Sequence, residues 1–239
     1  MTQDYVEAVR WYQKCADQGD KRGEINLGTM YFNGTGVAKN VDEAARWYSK
    51  AAEQGFPNAQ HNLAGMYKTG TGVPQDYEKA AFWYRKAADQ GFADSQVNLG
   101  SLYQSGRGVN QDYDEAIRWY RKAADQNNVI AQFNLGVLYS NGTGVTEDYA
   151  EAANWFRRSA EKEYAVSQFN LGKLYAEGQG VKQDFAEAAN WYRKAADQEY
   201  AGAQNELGSL YENGQGVPQD YTEAANWYRK AAGHGVVGA

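Results

Sequence analysis

The stretch AQFNLGVLYSNGTGV, Ala131 to Val145, places Gly136, Gly142 and Gly144 within fifteen residues, with Phe133 beside them. Two readings compete. The glycines can cradle a phosphate while Phe133 stacks on a base, or they can punctuate the passage between two helices. The choice separates an enzyme from a surface for other proteins, and the rest of the chain decides it.

The stretch recurs. AQHNLAGMYKTGTGV starts at Ala59, SQVNLGSLYQSGRGV at Ser95, SQFNLGKLYAEGQGV at Ser167 and AQNELGSLYENGQGV at Ala203, with a degenerate GEINLGTMYFNGTGV from Gly23. The spacing is 36 residues every time, the signature of a repeat architecture. Between the copies runs QDYxEAxxWYRKAADQ, and all seven tryptophans fall at one position of it: Trp11, Trp47, Trp83, Trp119, Trp155, Trp191 and Trp227.

Both motifs read as helices. Leu135, Leu138 and Tyr139 follow three- and four-residue steps, the period of a helix face. Gly136 is unfavourable inside a helix, so a glycine there in five of six copies predicts close approach of a neighbouring helix. In the second motif Ala152, Trp155, Phe156, Ser159 and Ala160 form an apolar stripe. Asp148 with Glu151 reads as a capping box, repeated at Asp4–Glu7, Asn40–Glu43, Asp112–Glu115, Asp184–Glu187 and Asp220–Glu223 and broken only at Asp76–Lys79.

The glycines now fall into place. Gly142 stands where a helix ends in the left-handed conformation, and Gly144 lets the chain reverse before Val145. A phosphate needs a vacant helix N-terminus, whereas here an aspartate already occupies it. Neither GxxxxGK[ST] nor a third glycine for GxGxxG is present. The glycines are punctuation.

A 36-residue helical hairpin stacked on copies of itself predicts an α-solenoid. On the motifs AQxNLGxLYxxGxGV and DYxEAxxWYRKAA the sequence resembles the Sel-one-like repeat (SLR) family, relatives of the tetratricopeptide repeat. The resemblance implies an all-α right-handed superhelix of thirteen helices forming a single solenoid domain over residues 1–239. Its parts are a half repeat (1–20) and full repeats 21–56, 57–92, 93–128, 129–164, 165–200 and 201–236. Thr2 stands where a loop is expected, and the closing GHGVVGA forms no polar cap. Such ends suggest a piece of a longer protein, or end faces covered by another chain.

Composition narrows the function. The chain is 43% hydrophobic, with 19 Tyr and seven Trp against eight Phe and three Met. A net charge of −6 without a Lys/Arg run argues against nucleic acid, where clustered positive charge supplies the affinity, and against an anionic membrane surface. No stretch approaches the ~20 apolar residues of a membrane span, and the N-terminus lacks an apolar run of signal-peptide type. As written, the chain is expected to be soluble and cytoplasmic; as part of a longer precursor it is periplasmic or secreted. One cysteine, Cys15, and two distant histidines, His61 and His234, offer no disulfide and no metal set. No cofactor is expected.

Several residues invite a functional reading that a bland one outweighs. The tryptophans, each able to bury about 150–250 Å², read as core knobs. Cys15, at the position of Ala51, Ala87, Ala123, Ser159, Ala195 and Ala231, reads as a small buried filler. Ser159 and Lys162 spell the S-x-x-K of penicillin-recognising proteins, and some SLR proteins are described as handling β-lactams. Ser159 falls on the buried stripe, however, and the companion motifs are missing. Asn33-Gly-Thr35 and Asn141-Gly-Thr143 match glycosylation sequons but read as loop chemistry.

The positions that vary within the fixed framework carry more. Before the fixed asparagine stand Ile25, His61, Val97, Phe133, Phe169 and Asn205; four residues on come Thr29, Gly65, Ser101, Val137, Lys173 and Ser209; three further on come Phe32, Lys68, Gln104, Ser140, Ala176 and Glu212. Spacing of i, i+4, i+7 puts them on one helix face, distinct from the leucine face. In solenoids of the kind resembled, that face lines a concave groove. Val97, Phe133, Val137 and Phe169 would form an apolar patch of the kind that marks a binding site. Asn26, Asn62, Asn98, Asn134 and Asn170 run beside it. Their amides suit an extended peptide's N–H and C=O groups; the alternative is an asparagine ladder tying repeats together.

The resulting expectation is a non-enzymatic adaptor, bacterial by the resemblance of its loops, that binds an extended protein segment anchored on Phe133 and Phe169. Replacing both rings by alanine is expected to abolish binding and leave stability nearly unchanged. The alternatives are a structural module that stacks end to end through its terminal helices and, remotely, a β-lactam-binding enzyme.

Overall fold

A computed structural model of the chain describes residues 4–233; the expectations placed on Thr2 and on the stretch from His234 lie outside them. Among the described residues there are thirteen α-helices and no strand. The chain divides into two compact units, Met1–Gln126 and Asn127–Ala239.

The first unit holds α1 (Tyr5–Asp17), α2 (Lys21–Asn33), α3 (Val41–Glu53), α4 (Pro57–Thr69), α5 (Tyr77–Asp89), α6 (Ala93–Ser105) and α7 (Tyr113–Asp125). The second holds α8 (Val129–Asn141), α9 (Tyr149–Ala160), α10 (Ala165–Glu177), α11 (Phe185–Ala196), α12 (Ala201–Asn213) and α13 (Tyr221–Gly233). Within each unit every helix packs chiefly on the helices before and after it, the arrangement of an all-α repeat solenoid.

The local chemistry sets these boundaries. Gly142 ends α8 at φ 61°, its N–H donating to the Leu138 carbonyl. The second loop glycine has a further duty. A Cβ on Gly72 would lie 2.3 Å from the Val41 carbonyl oxygen, and one on Gly180 2.1 Å from the Tyr149 carbonyl carbon, so each lets its loop press on the preceding repeat. Asp148 caps α9 by accepting from the Ala150 and Glu151 N–H groups at 3.0 and 2.9 Å. The reciprocal half of the expected capping box is absent there. The Asp148 N–H donates to the Tyr139 carbonyl, and the Glu151 carboxylate accepts from Trp155 Nε1 at 2.9 Å instead. The Asp76 N–H is likewise served by Tyr67, so Lys79 at the third position leaves no donor unmet.

Alanine, leucine and aromatic rings make the core. Leu27, Leu63, Leu99, Leu135, Leu171 and Leu207 are fully buried, and Phe156 lies where Gly136 leaves room for its ring. Two expectations need correction here. Five tryptophans are buried, but Trp83 is half-buried and Trp11 is 56% exposed. Cys15 is exposed, whereas its six counterparts are buried. Trp11 and Cys15 share one reason. Trp47 is covered by Val9, Tyr12 and Ala16 of α1 and by Leu27 of α2, and Ser159 lies between Val129 and Ser167. In both cases part of the cover comes from a helix earlier in the chain, and among the described residues no helix precedes α1.

Candidate binding face on helices α2 and α4

None of the eighteen variable side chains is buried; all are half-buried or exposed. The face they form is therefore partly open, although Ile25, Phe32, Phe133, Val137, Phe169 and Ala176 on it pack against the core. What each residue does on it differs.

Phe133 and Phe169 do not stand in an open trough. The Phe133 ring packs 6.0 Å from Phe156 and 5.6 Å from Tyr164, and Phe169 packs 5.8 Å from Tyr192 and 5.1 Å from Tyr200. Tyr164 and Tyr200 are the residues that cap α10 and α12, so each ring is wedged between the second helix of its hairpin and the residue that starts the following helix. Val137 joins Phe133 against the core of α9 and α10. Packing of this kind leads us to expect that their substitution touches stability, where the sequence alone predicts little change. Val97 belongs to the first unit and is half-buried on α6.

The asparagines meet the alternative ladder only in part: Asn62 reaches the Tyr48 hydroxyl and Asn98 Oδ1 accepts from Lys68, each across one repeat boundary. Asn98 Nδ2 donates to the Asp94 carbonyl and Asn170 Nδ2 to the Val166 carbonyl, one turn back in their own helices. Asn134 is half-buried on α8. Glutamines supply further ties: Gln60 Nε2 reaches the Ala52 carbonyl of the preceding repeat at 3.1 Å, and its oxygen accepts from Gln90 of its own repeat at 2.8 Å. Gln96 with Gln126, and Gln168 with Gln198, repeat the device.

An open cleft lies in the first unit. It has a volume of about 500 Å³ and is lined by Thr29, Phe32 and Asn33 of α2, Tyr48 of α3, His61, Asn62, Gly65, Met66 and Thr69 of α4, and Thr71. A second cleft of about 420 Å³ adjoins it, sharing Thr29 and Asn62 and adding Arg22, Ile25, Asn26, Phe56, Asn58 and Phe92. Such volumes suit a bound side chain or short segment. One glycine opens the first. Where the other copies carry Thr29, Ser101, Val137, Lys173 and Ser209, α4 carries Gly65, and an added Cβ would meet nothing closer than the Tyr84 hydroxyl at 3.6 Å.

The polar groups of the cleft are fixed from below. Thr29 Oγ1 donates to the Ile25 carbonyl at 2.9 Å and lies 3.1 Å from the Tyr48 hydroxyl, which Asn62 also reaches. Burial pushes the Tyr48 pKa up, so this hydroxyl stays protonated. His61 Nδ1 lies 2.9 Å from Ser95 Oγ, with its ring between Tyr84 and Phe92. Burial holds the imidazole below its usual 6.5, Asp94 opposing and Lys68 assisting. Lys68 Nζ donates to Asn98 Oδ1 at 2.9 Å, and Gln104 accepts from the Tyr120 hydroxyl at 2.8 Å. Lys173 is exposed and pairs with Glu177 at 3.7 Å.

Thr29, Phe32, His61, Asn62 and Gly65, which the sequence spacing groups on neighbouring positions of one face, line the first cleft. Tyr48, Phe56 and Phe92, which the spacing does not single out, line the clefts as well. A signal for the last two existed, since an aromatic residue precedes the first helix in four of six copies. The hydroxyl of Ser159 is committed inside the fold, donating to the Val129 carbonyl and accepting from Ser167, and Lys162 reaches the Asn127 carbonyl instead of Ser159.

No helix among the described residues is long and apolar enough to cross a membrane. The fold is similar to that of c5321, a protective antigen of uropathogenic Escherichia coli strains displaying an SLR fold, with TM-score 0.93, 38% identity, and coverage of 95% of this chain and 49% of that one. This chain thus spans about half the length of that relative. A Sel1 repeat protein from Oxalobacter formigenes is 34% identical at TM-score 0.84, covering 95% and 91% of the two chains. Yeast Tom70, at 17% identity and TM-score 0.54 over 96% of this chain and 48% of that one, shares the fold alone. No curated protein matches the sequence. The Sel1 repeat model matches residues 1–20, 22–56, 57–92, 93–128, 129–164, 165–200 and 201–236, and the chain belongs to the Sel1 repeat family.

Proposed function

We propose that this chain is an adaptor whose α2–α4 face holds an extended segment of a partner protein. Sel1 repeat proteins generally serve as scaffolds for protein interactions and are generally not catalytic. The observation that carries the finer reading is the cleft above Thr29 and Asn62, kept open by Gly65. Its walls offer Phe32 and Met66 for apolar side chains, and its asparagine amides both donate and accept, matching the main-chain groups of a peptide.

The test is to pan a phage library of random dodecapeptides on the full chain and on Gly65→Val, the residue that Val137 supplies in another copy. The variant fills the cleft while preserving the helix. Selected peptides are expected to bind at least tenfold more weakly to Gly65→Val, whose melting temperature matches or exceeds that of the native chain. Equal binding to both proteins would refute the cleft as the site.

A second reading, self-association through the end of the solenoid, draws support from the exposed Trp11 and Val6 of α1. Light scattering over a hundredfold range of concentration decides it: a mass that stays monomeric removes this reading.

A further inference from the structure

We infer that the segment accepted by the α2–α4 clefts is acidic, an inference that rests on the proposed peptide-binding role. The chain carries 30 Asp and Glu against 24 Lys and Arg, yet no carboxylate lines either cleft. Basic groups gather at the edge instead. Arg22 lines the second cleft directly. Lys21 Nζ lies 5.7 Å from the centroid of the Phe56 ring, and Lys39 Nζ lies 6.0 Å from that of Phe32, so a cation stands over a lining aromatic in each cleft. Lys68 follows one turn after Gly65 on α4. The carboxylates that meet this face are few: Asp20 caps α2 by accepting from Arg22 N and Gly23 N and offsets part of the Arg22 and Lys21 charge, Asp94 faces His61, and Glu24 is buried beside Lys50 and accepts from Gln54.

A local positive rim on a negative protein draws anionic segments and repels basic ones. The arrangement fits alternating chemistry in the occupant. Apolar side chains enter beside Phe32, Met66 and Phe56, and Asp or Glu side chains reach outward to Arg22, Lys21 and Lys39. A guanidinium can grip a carboxylate through two parallel hydrogen bonds, which makes Arg22 the residue most sensitive to the sign of its partner.

The dodecapeptides selected on the full chain supply the test. Expected are sequences with net negative charge whose synthetic versions, followed by fluorescence anisotropy, bind at least tenfold more weakly to Arg22→Glu/Lys39→Glu. Raising NaCl from about 50 to about 300 mM is expected to weaken them severalfold, because these charges are solvent-exposed and screened. Circular dichroism melts establish that the variant is folded. Peptides that need Gly65 but are neutral or basic, or that ignore the charge reversal, overturn the acidic preference and leave the cleft reading standing. Peptides that bind Gly65→Val as well as the native chain overturn both. Displacement of a selected peptide by a uridine dodecanucleotide at equal concentration would reassign the rim to nucleic acid and also overturn the inference.

Discussion

Gly136 faces Phe156 so closely that a Cβ on the glycine would stand 2.6 Å from the ring carbons Cδ1 and Cε1. The same relation joins Gly28 to Tyr48, Gly100 to Tyr120, Gly172 to Tyr192 and Gly208 to Tyr228. Helix propensity alone favours alanine over glycine by about 1 kcal/mol, but forcing a methyl group into this contact costs about 1–3 kcal/mol. Gly136→Ala is therefore expected to destabilise. Gly65→Ala, with open space above it, is expected to stabilise by about 0.5–1 kcal/mol. Urea unfolding of the two variants distinguishes crowding from propensity; the same sign in both would show that ring contact is not what keeps glycine at position 136.

Trp11 and Trp119 occupy equivalent places in the repeat, yet the first is 56% exposed and the second 1%. Trp119→Ala is expected to lose about 3–5 kcal/mol, as large-to-small changes in a core do. Trp11→Ala is expected to stay within about 1 kcal/mol of the native chain, in the range of surface changes. The neighbouring Cys15, also exposed, is expected to react with a thiol reagent such as DTNB in the native state, one equivalent per chain. A thiol that reacts only after denaturant is added would mean that α1 is covered in solution.

Glu24 stands where the other five copies carry glutamine. It is buried, its carboxylate accepts from Gln54 at 2.8 Å, and burial raises its pKa above the ordinary 4.5, partly offset by Lys50 and Gln54. A carboxyl group whose pKa is higher folded than unfolded stabilises in its protonated form, and that contribution disappears as pH rises through the folded-state value. Glu24→Gln removes the burden of a buried charge and restores a donor, which in Gln60 reaches the Ala52 carbonyl. A gain of about 1 kcal/mol is expected near pH 7, shrinking as pH falls below the range where Glu24 ionises. Melting curves at pH 7 and pH 4 check it, and a gain of the same size at both would locate the effect elsewhere than in ionisation.

The period, the helix ends and the leucine core were legible because each depends on residues close in sequence. Gly142 announces a helix end, and Leu135, Leu138 and Tyr139 announce a face. The fate of Phe133 was not legible by the same means. The ring that covers it, Tyr164, stands at the far end of the same repeat, where it caps α10, outside the reach of helical periodicity. Hydrophobicity singled out Phe133 and Phe169, whereas openness depends on missing atoms, as at Gly65. That glycine stood among the variable positions, but its effect follows from the 3.6 Å to the Tyr84 hydroxyl, a distance set by packing. The glutamine ties were not legible for a related reason: Gln60 and Gln90 lie 30 residues apart, and positions nearly constant from copy to copy give no hint of which side chains meet.

The turn that follows each second-motif helix offers a graded test of backbone strain. Gly19, Gly55 and Gly91 take φ of 76°, 82° and 86° there, but the next three copies place Asn127, Glu163 and Glu199 in the same left-handed region at 66°, 63° and 62°. A residue with a Cβ loses roughly 1–2 kcal/mol in that conformation, and asparagine tolerates it better than glutamate. Glycine avoids the strain but gives back about 0.5–1 kcal/mol through its freer unfolded chain. The N–H of Glu199 donates to the Ala196 carbonyl and that of Tyr200 to Ala195, and both bonds survive a change to glycine. Glu163→Gly and Glu199→Gly are each expected to stabilise by up to about 1 kcal/mol, and Asn127→Gly to change little. Gly55→Glu should lose about what the other exchanges gain. Thermal melts of the four variants read the series. Were Asn127→Gly to gain as much as the glutamate changes, local side-chain tolerance of the left-handed turn could not be the cause.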